Sequence, residues 1–539
     1  MRKFVSLVLA LCVLLTCVAV TAFAEEGKNS IVLTTNTNPS LDPQRNQGLA
    51  AHYVIDTLYE GLYGYSESGV QMTGCVGVDQ SEDGMTWTFH LREESVWTDG
   101  KPVTADDYVF AFKRLVDPVA ATPYAIDYGQ FVLNGKAIAE GEKSVDELGV
   151  AAIDDFTLEV KLENPCAYFD AILCYPTFYP LRAEAIDDED LNDEGKISSD
   201  WGWKVDTVIT NGPMKMTYCD EGEKIITVKN ETYWNAENVK TDEITWLLMD
   251  DSNTNLALLQ SGEADLIFSY PSEETTSLMD AGLFHSATAL GTGFLLVNCQ
   301  EGPTTDARVR RALSLCIDRE KLANVLLSGV KVPATTFIGS GFPGADASGD
   351  YKSGSTDMLY YDPDEARALI EEAGYGEGGE DLVIDIPYPT TVADYVIVFE
   401  YLQAQWEEEL GATVVLSPMD SSSWGTARAN CDFTVTVQNW YADYFDASNM
   451  LSIFVTDHSI NQGHWSNADF DSLYEASLQE ADNAARVQLM HDAETVLIED
   501  MGIIPLYHNK KTFIYSDDII ENVIMNADAY PFWTQIIKK

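Results

Sequence analysis

Met85 to Pro118 reads MTWTFHLREESVWTDGKPVTADDYVFAFKRLVDP, and this stretch decides the fold class. Thr86 to Leu91 alternate polar and apolar side chains, the period of a strand buried on one face. Asp99-Gly100 supplies a tight turn. Thr104 is then a suitable N-cap with Asp107 three residues on. Tyr108, Phe112 and Leu115 recur at helical spacing until Asp117-Pro118 stops the helix. The order strand, turn, capped helix predicts a mixed α/β protein.

The same alternation of element types continues on both sides. IVLTTN from Ile31 reads as a short strand, SLDPQRN as a turn, and Val54 to Leu62 as a helix ending near Gly64. Asp155 to Leu162 and Lys224 to Lys229 alternate again as strands. Asp306 caps a helix with Val309, Ala312, Leu313 and Cys316 on one face, and Asp318 starts a second through Leu322 and Leu326 to Gly329. Asp362-Pro363 opens another, which Gly374 closes. Asp187 to Gly195, Gly339 to Gly354 and Gly374 to Asp381 read as surface loops. No fixed-period repeat is present.

Arg2 and Lys3 precede an apolar run from Phe4 to about Ala22, and Ala22-Phe23-Ala24 is a small-x-small site before Glu25-Glu26. This is a secretory signal peptide, with cleavage expected after Ala24. A membrane anchor, or lipidation at Cys17 within Leu14-Leu15-Thr16-Cys17, remains an alternative. Loss of the leader leaves 30 cations against 87 carboxylates, a net charge of −57. Nucleic acids and anionic membranes both need clustered cations, so both are excluded as partners. The seven cysteines beyond the leader (75, 166, 174, 219, 299, 316 and 431) are odd in number and irregular in spacing. They suggest neither zinc nor a disulfide framework, and Cys316 reads as core. Asp190-x-Asn192-x-Glu194-Gly195 begins like a calcium loop, but Trp201 occupies the twelfth position where a bidentate Glu is required. G-x-S-x-G, H-E-x-x-H and P-loop motifs are absent from the sequence, and no cofactor is expected.

Read as residues, Met85 to Pro118 closely resembles the signature region of the extracytoplasmic solute-binding proteins that feed peptide ABC transporters, the family of the bacterial oligopeptide-binding protein. The resemblance extends through LDP at 41–43, LYEGLY at 58–63, ITNGPMKM at 209–216, NETYWN at 230–235, LLQSGEADLI at 258–267 and RVRRALSLCIDREKL at 308–322. It implies a two-lobed periplasmic-binding-protein-like α/β fold of class II with an extra subdomain inserted in the first lobe. Lobe I would comprise 25–59, 187–288 and 505–539, the inserted subdomain 60–186, and lobe II 289–504. It further implies a monomeric receptor, not an enzyme, secreted across the cytoplasmic membrane. Such a receptor closes around a peptide and presents it to permease subunits, meeting the membrane only through the permease or a lipid anchor. Relatives that bind dipeptides, oligosaccharides, nickel complexes or haem keep other cargoes open, and a secreted hydrolase is the rival from a different class.

The ligand chemistry is expected at Asn439-Trp440-Tyr441-Ala442-Asp443-Tyr444-Phe445-Asp446, which follows the β-rich run DFTVTV at 432–437. Binding groups often gather where such a strand ends. These residues also suit core aromatics, with Asp443 and Asp446 capping a following helix. The segment resembles the Trp-x-Ala-Asp-Tyr stretch of the oligopeptide-binding proteins, which implies that Asp443 pairs with a peptide α-ammonium and Asp446 serves as cap or turn. Trp440 would be a wall, with Asn439 and Tyr441 beside it. The resemblance also carries Tyr124, Gln47 and Arg428 to the cleft, although an exposed helix position suits Arg428 equally. Positions where relatives place cations for the peptide carboxylate are Val437 and Leu327 here, with Lys331 close in sequence. Where relatives carry a cleft tryptophan, Ser421 to Ser423 stand, with Trp424 nearby.

Overall fold

A computed structural model describes residues 27–35, 40–46, 49–186, 201–220, 222–346, 349–376 and 378–539. The expected leader with Cys17, the candidate ligand residue Gln47, and the calcium-like spacing from Asp190 to Gly195 lie outside these residues.

The stretch quoted first folds as its pattern predicts. Strand Thr86–Leu91 turns Trp87, Phe89 and Leu91 inward. It lies between strands Cys75–Gln80 and Thr157–Lys161, and Val150–Asp154 completes a four-stranded antiparallel sheet. Gly100 adopts φ +84° at the turn, which a residue without Cβ does at little cost. In helix Ala105–Val116 the Asp107 carboxylate reaches back to the Thr104 N–H at 2.9 Å and also accepts from Trp97 Nε1 at 3.1 Å. Tyr108, Ala111, Phe112 and Leu115 form the buried face. The helix is tied to the LDP turn by Arg114, whose Nη2 lies 2.7 Å from Asp42 Oδ2. Trp201 Nε1 donates to the same carboxylate oxygen at 3.1 Å.

A nine-stranded sheet runs through the rest of the chain. Its order is Val435–Tyr441, Phe284–Val297, Ile503–Tyr515, Leu266–Ile267, Ser30–Thr35, Glu243–Leu248, Lys224–Lys229 and Met214–Asp220, with Lys331–Pro333 also paired to Ile503–Tyr515. Two hydrophobic cores flank it. One gathers residues from Leu290 to Tyr507, including Val309, Leu313, Cys316, Ile384, Trp406 and Leu497. The other joins Ile31, Leu33, Ile244 and Trp246 to Trp87, Phe89, Tyr108 and Phe112, so the four-stranded sheet and its helix share a core with the first strands of the chain. The expected lobe crossings near 288 and 504 fall within the two longest strands, Phe284–Val297 and Ile503–Tyr515. Their antiparallel pairing loses register between Thr288 and Thr292 and again between Gly293 and Phe294.

Two helices differ from expectation. The one predicted over Val54–Leu62 spans Leu49–Leu58. It stops there because the Leu58 carbonyl accepts from Gly212 N–H at 2.8 Å, and the Asn211 carboxamide pairs with both backbone groups of Glu60. The second helix of the 306–329 pair is a π-helical turn, Lys321–Leu326, in which the Leu327 N–H reaches back to the Leu322 carbonyl. The seven described cysteines are free thiols, and Cys316 is buried in the core.

Candidate functional site

Strand Val435–Tyr441 alternates its side chains across the sheet and ends at the aromatic and acidic cluster. Asn439 and Tyr441 therefore share one face, and Trp440 points to the other. Trp440 Nε1 donates to Asn449 Oδ1 at 3.0 Å, and the Asp443 N–H donates to the same oxygen at 3.1 Å. Asn449 thus fixes the turn that carries Asp443, while Tyr128 Oη donates to the Asp443 carbonyl at 3.5 Å.

Asp443 projects into a cavity of about 210 Å³. Tyr441 and Tyr124 line it as well, so three of the residues named from sequence meet there. The carboxylate is open to the cleft yet has protein on most sides. Burial, with a smaller contribution from Asp127, raises its carboxyl to about 6 despite a hydrogen bond with Asn449. Asp443 forms no ion pair among the described residues. Tyr175 is part of the wall and stacks on Tyr128 at 4.6 Å, with Tyr124 edge-on to both rings.

Asp446, three residues on, is different. Its Oδ1 accepts from the Ser448 N–H at 2.9 Å, as a turn residue should, but both oxygens are also held by Arg486 at 2.6 and 2.9 Å. Burial alone would raise this carboxyl; the guanidinium overrides it and holds the group below its ordinary value.

Sequence reasoning missed further lining residues, Lys511, Asp528 and Tyr530 from the C-terminal segment and His52 from helix Leu49–Leu58. Lys511 Nζ lies 3.1 Å above the Tyr530 ring, donates to the Asp528 carbonyl at 2.5 Å and stands 3.4 Å from Asp528 Oδ1. Burial lowers its ammonium to about 8 against the pull of Asp528. His52 lies 3.6 Å from Asp56. No periodicity or motif marks these positions; tertiary folding alone brings them together.

Of the other residues named from sequence and described, Asn439, Trp440 and Arg428 are not part of its lining. Asn439 Nδ2 donates to Tyr395 Oη at 2.6 Å. Arg428 stacks on Trp424 at 4.4 Å, is half-buried, and its Nε has no hydrogen-bond partner among the described residues. Val437 and Leu327 are buried in the core. Trp424 Nε1 is used internally, donating to Thr436 Oγ1 at 3.0 Å. A larger cavity of about 390 Å³ lies against Glu60; it shares Tyr65 and Tyr530 with the first but is not lined by Asp443. Burial raises Glu60 to about 7, but its carboxylate is already taken by Tyr233 Oη and, at 2.7 Å, by Trp234 Nε1, so it offers no free charge. No group of metal-ligating side chains occurs among the described residues.

Residues 57–462 match the family model of bacterial extracellular solute-binding proteins, family 5. A dipeptide-binding protein of Bacillus subtilis is 30% identical over 440 residues, covering 81% of this chain and 79% of the relative. A probable deoxycholate-binding periplasmic protein of Escherichia coli is 31% identical over 513 residues, covering 89% and 91%. Among solved structures, the unliganded open form of a periplasmic murein tripeptide binding protein superposes with a TM-score of 0.79 at 27% identity, covering 95% of this chain and 98% of that one.

Proposed function

This chain belongs to the family 5 bacterial extracellular solute-binding proteins, and from that premise we propose that it captures a peptide between two lobes and delivers it to an ABC permease. The observation that carries the reading is Asp443: a carboxylate without an ion-pair partner among the described residues, held by Asn449 at the mouth of a tyrosine-lined cavity. An α-ammonium supplies the missing charge, and a charge-assisted hydrogen bond in a partly desolvated cleft is strong. Tyr441, Tyr124 and Tyr175 pack around the first residue of the ligand, and the exposed edge of Tyr441 leads towards Asn439 and Arg428 along the cleft. Trp440 acts from beneath by locking Asn449.

Lobe closure about Phe284–Val297 and Ile503–Tyr515 is the mechanism, with the loss of register at Thr288–Thr292 as its flexible point. The division at 25–59, 187–288 and 505–539, with 60–186 inserted and 289–504 as the second lobe, belongs to this proposal. So do export by the leader ending at Ala24, a monomeric state and Gln47 as a neutral contact. The protein performs no chemical step; the relatives carry binding-protein names.

A bile-acid cargo, suggested by the Escherichia coli relative's name, would bring a carboxylate towards Asp443, and like charges repel. Calorimetry with a random peptide pool and with deoxycholate separates the readings. Peptide binding without deoxycholate binding supports the proposal. Deoxycholate or sugar binding in its place, or turnover of any peptide, overturns it. Mass spectrometry of material co-purifying with the mature protein gives the cargo directly.

A further inference from the structure

The turn that carries Asp443 is gripped from outside its own proposed lobe. Asp443 to Asp446 lie between strand Val435–Tyr441 and helix Ser448–Ser452, and residues 60–186, the proposed inserted subdomain, reach each of them. Tyr128 Oη donates to the Asp443 carbonyl at 3.5 Å. The Tyr444 ring stacks on Tyr168 at 5.4 Å and 13°, with Phe131 edge-on at 6.3 Å. Tyr65 meets the Phe445 ring edge-on at 6.1 Å. Asp446 is reached through Arg486, whose guanidinium holds both carboxylate oxygens and lies 4.5 Å from the centre of the Tyr168 ring.

Burial divides the turn in the same way. Phe445, Ala447, Met450 and Leu451 belong to the core that runs from Leu290 to Tyr507. Tyr444 is buried in the other core, with Tyr168, Phe169 and Ile172. A tyrosine that crosses from one core into the other ties its neighbour Asp443 to the far body. Stacked rings and a guanidinium over a ring attract only in particular geometries, so this contact fixes an orientation as well as burying area.

We propose that Tyr168 is a positioning residue for ligand capture: it clamps the Asp443–Asp446 turn to the inserted subdomain and so holds the Asp443 carboxylate where an entering α-ammonium meets it. Tyr168 does not line the ligand cavity, so it acts through Tyr444 and Arg486. An ion pair made by a loosened turn must order that turn as it forms, and affinity falls by that cost. The inference rests on the proposed pairing of Asp443 with a peptide ammonium and adds the element that aims it.

The test is calorimetric titration of the mature protein with tri-alanine and with N-acetyl-tri-alanine, for the wild type, Tyr168→Leu and Tyr168→Phe, with unfolding temperatures measured alongside. The proposal expects the wild type to prefer the free amine by about tenfold or more. Tyr168→Leu keeps apolar bulk but removes the stack and the cation–π contact, and its preference falls to about threefold or less. Tyr168→Phe keeps the ring and restores the wild-type ratio. Phe131→Leu, at the half-buried rim of the same cluster, lowers the ratio by a smaller factor and carries the test if Tyr168→Leu does not fold. A merely structural contact would lower the unfolding temperature of the leucine variant and leave its ratio untouched. That result, or a Tyr168→Phe protein as impaired as Tyr168→Leu, overturns Tyr168 as a positioning residue and leaves the Asp443 pairing standing. A wild type indifferent to acetylation removes the Asp443 pairing, and this proposal with it.

Discussion

Asp446 and Asp443 lie three residues apart at the end of one strand, and the protein treats them in opposite ways. Asp446 is sealed in the core with a bidentate arginine, and its carboxyl is held low. Asp443 faces a cavity without an ion-pair partner among the described residues, and its carboxyl is raised to about 6. The first is a carboxylate the fold has satisfied. The second is a carboxylate with no counter-charge from the described residues. Identical side chains in one short segment are thus separated by the supply of counter-charge, and the proposed ligand role of Asp443 rests on that difference.

The comparison breaks most visibly in stability. Asp446→Ala leaves Arg486 buried without its partner and is expected to cost about 3–5 kcal/mol in denaturant unfolding. Asp443→Asn is expected to do the reverse in the ligand-free protein. A carboxyl raised by the fold contributes stability that is present below its unfolded pKa and is lost as pH rises through about 6. Removing that group therefore raises the unfolding temperature at pH 7.5. For Asp446 the sign inverts: its contribution is present above the unfolded value and is lost as the solution is acidified.

Binding sharpens the contrast further. Acidification from pH 7.5 to 5 should weaken peptide affinity through a midpoint near 6 as Asp443 protonates, approaching tenfold per unit well below it, by calorimetry at constant ionic strength. Asn449→Ala frees the Asp443 turn and the Trp440 indole together. It should cost about 1 kcal/mol of affinity, the scale of a single neutral hydrogen bond, with little change in the pH midpoint.

The parts of the molecule differ in how openly the sequence declares them. Met85 to Pro118 is legible because its signals are local: alternation, a glycine turn, a cap and its reciprocal acid all act within a few residues. The end of the helix at Leu58 was not legible, since a hydrogen bond from Gly212, far along the chain, sets it. Asp443 is singled out by resemblance rather than by a local rule, which would equally suit a helix cap. Asp446 was read as a turn residue, which it is, but its dominant partner Arg486 is 40 residues away. Lys511, Asp528 and Tyr530 gave no signal because a wall built from strand Ile503–Tyr515 and the segment after it exists only once the sheet has assembled.

The most direct measurement is calorimetry of one peptide with a free amino terminus and the same peptide N-acetylated, against the wild type and Asp443→Asn at pH 7.5. The account predicts that acetylation and the substitution each cost the wild-type complex about 1.5–3 kcal/mol, the scale of a hydrogen bond to a charged group, and that acetylation costs the variant little more. Equal affinity of the wild type for both peptides, or additive losses in the variant, would contradict Asp443 as the partner of the ammonium group.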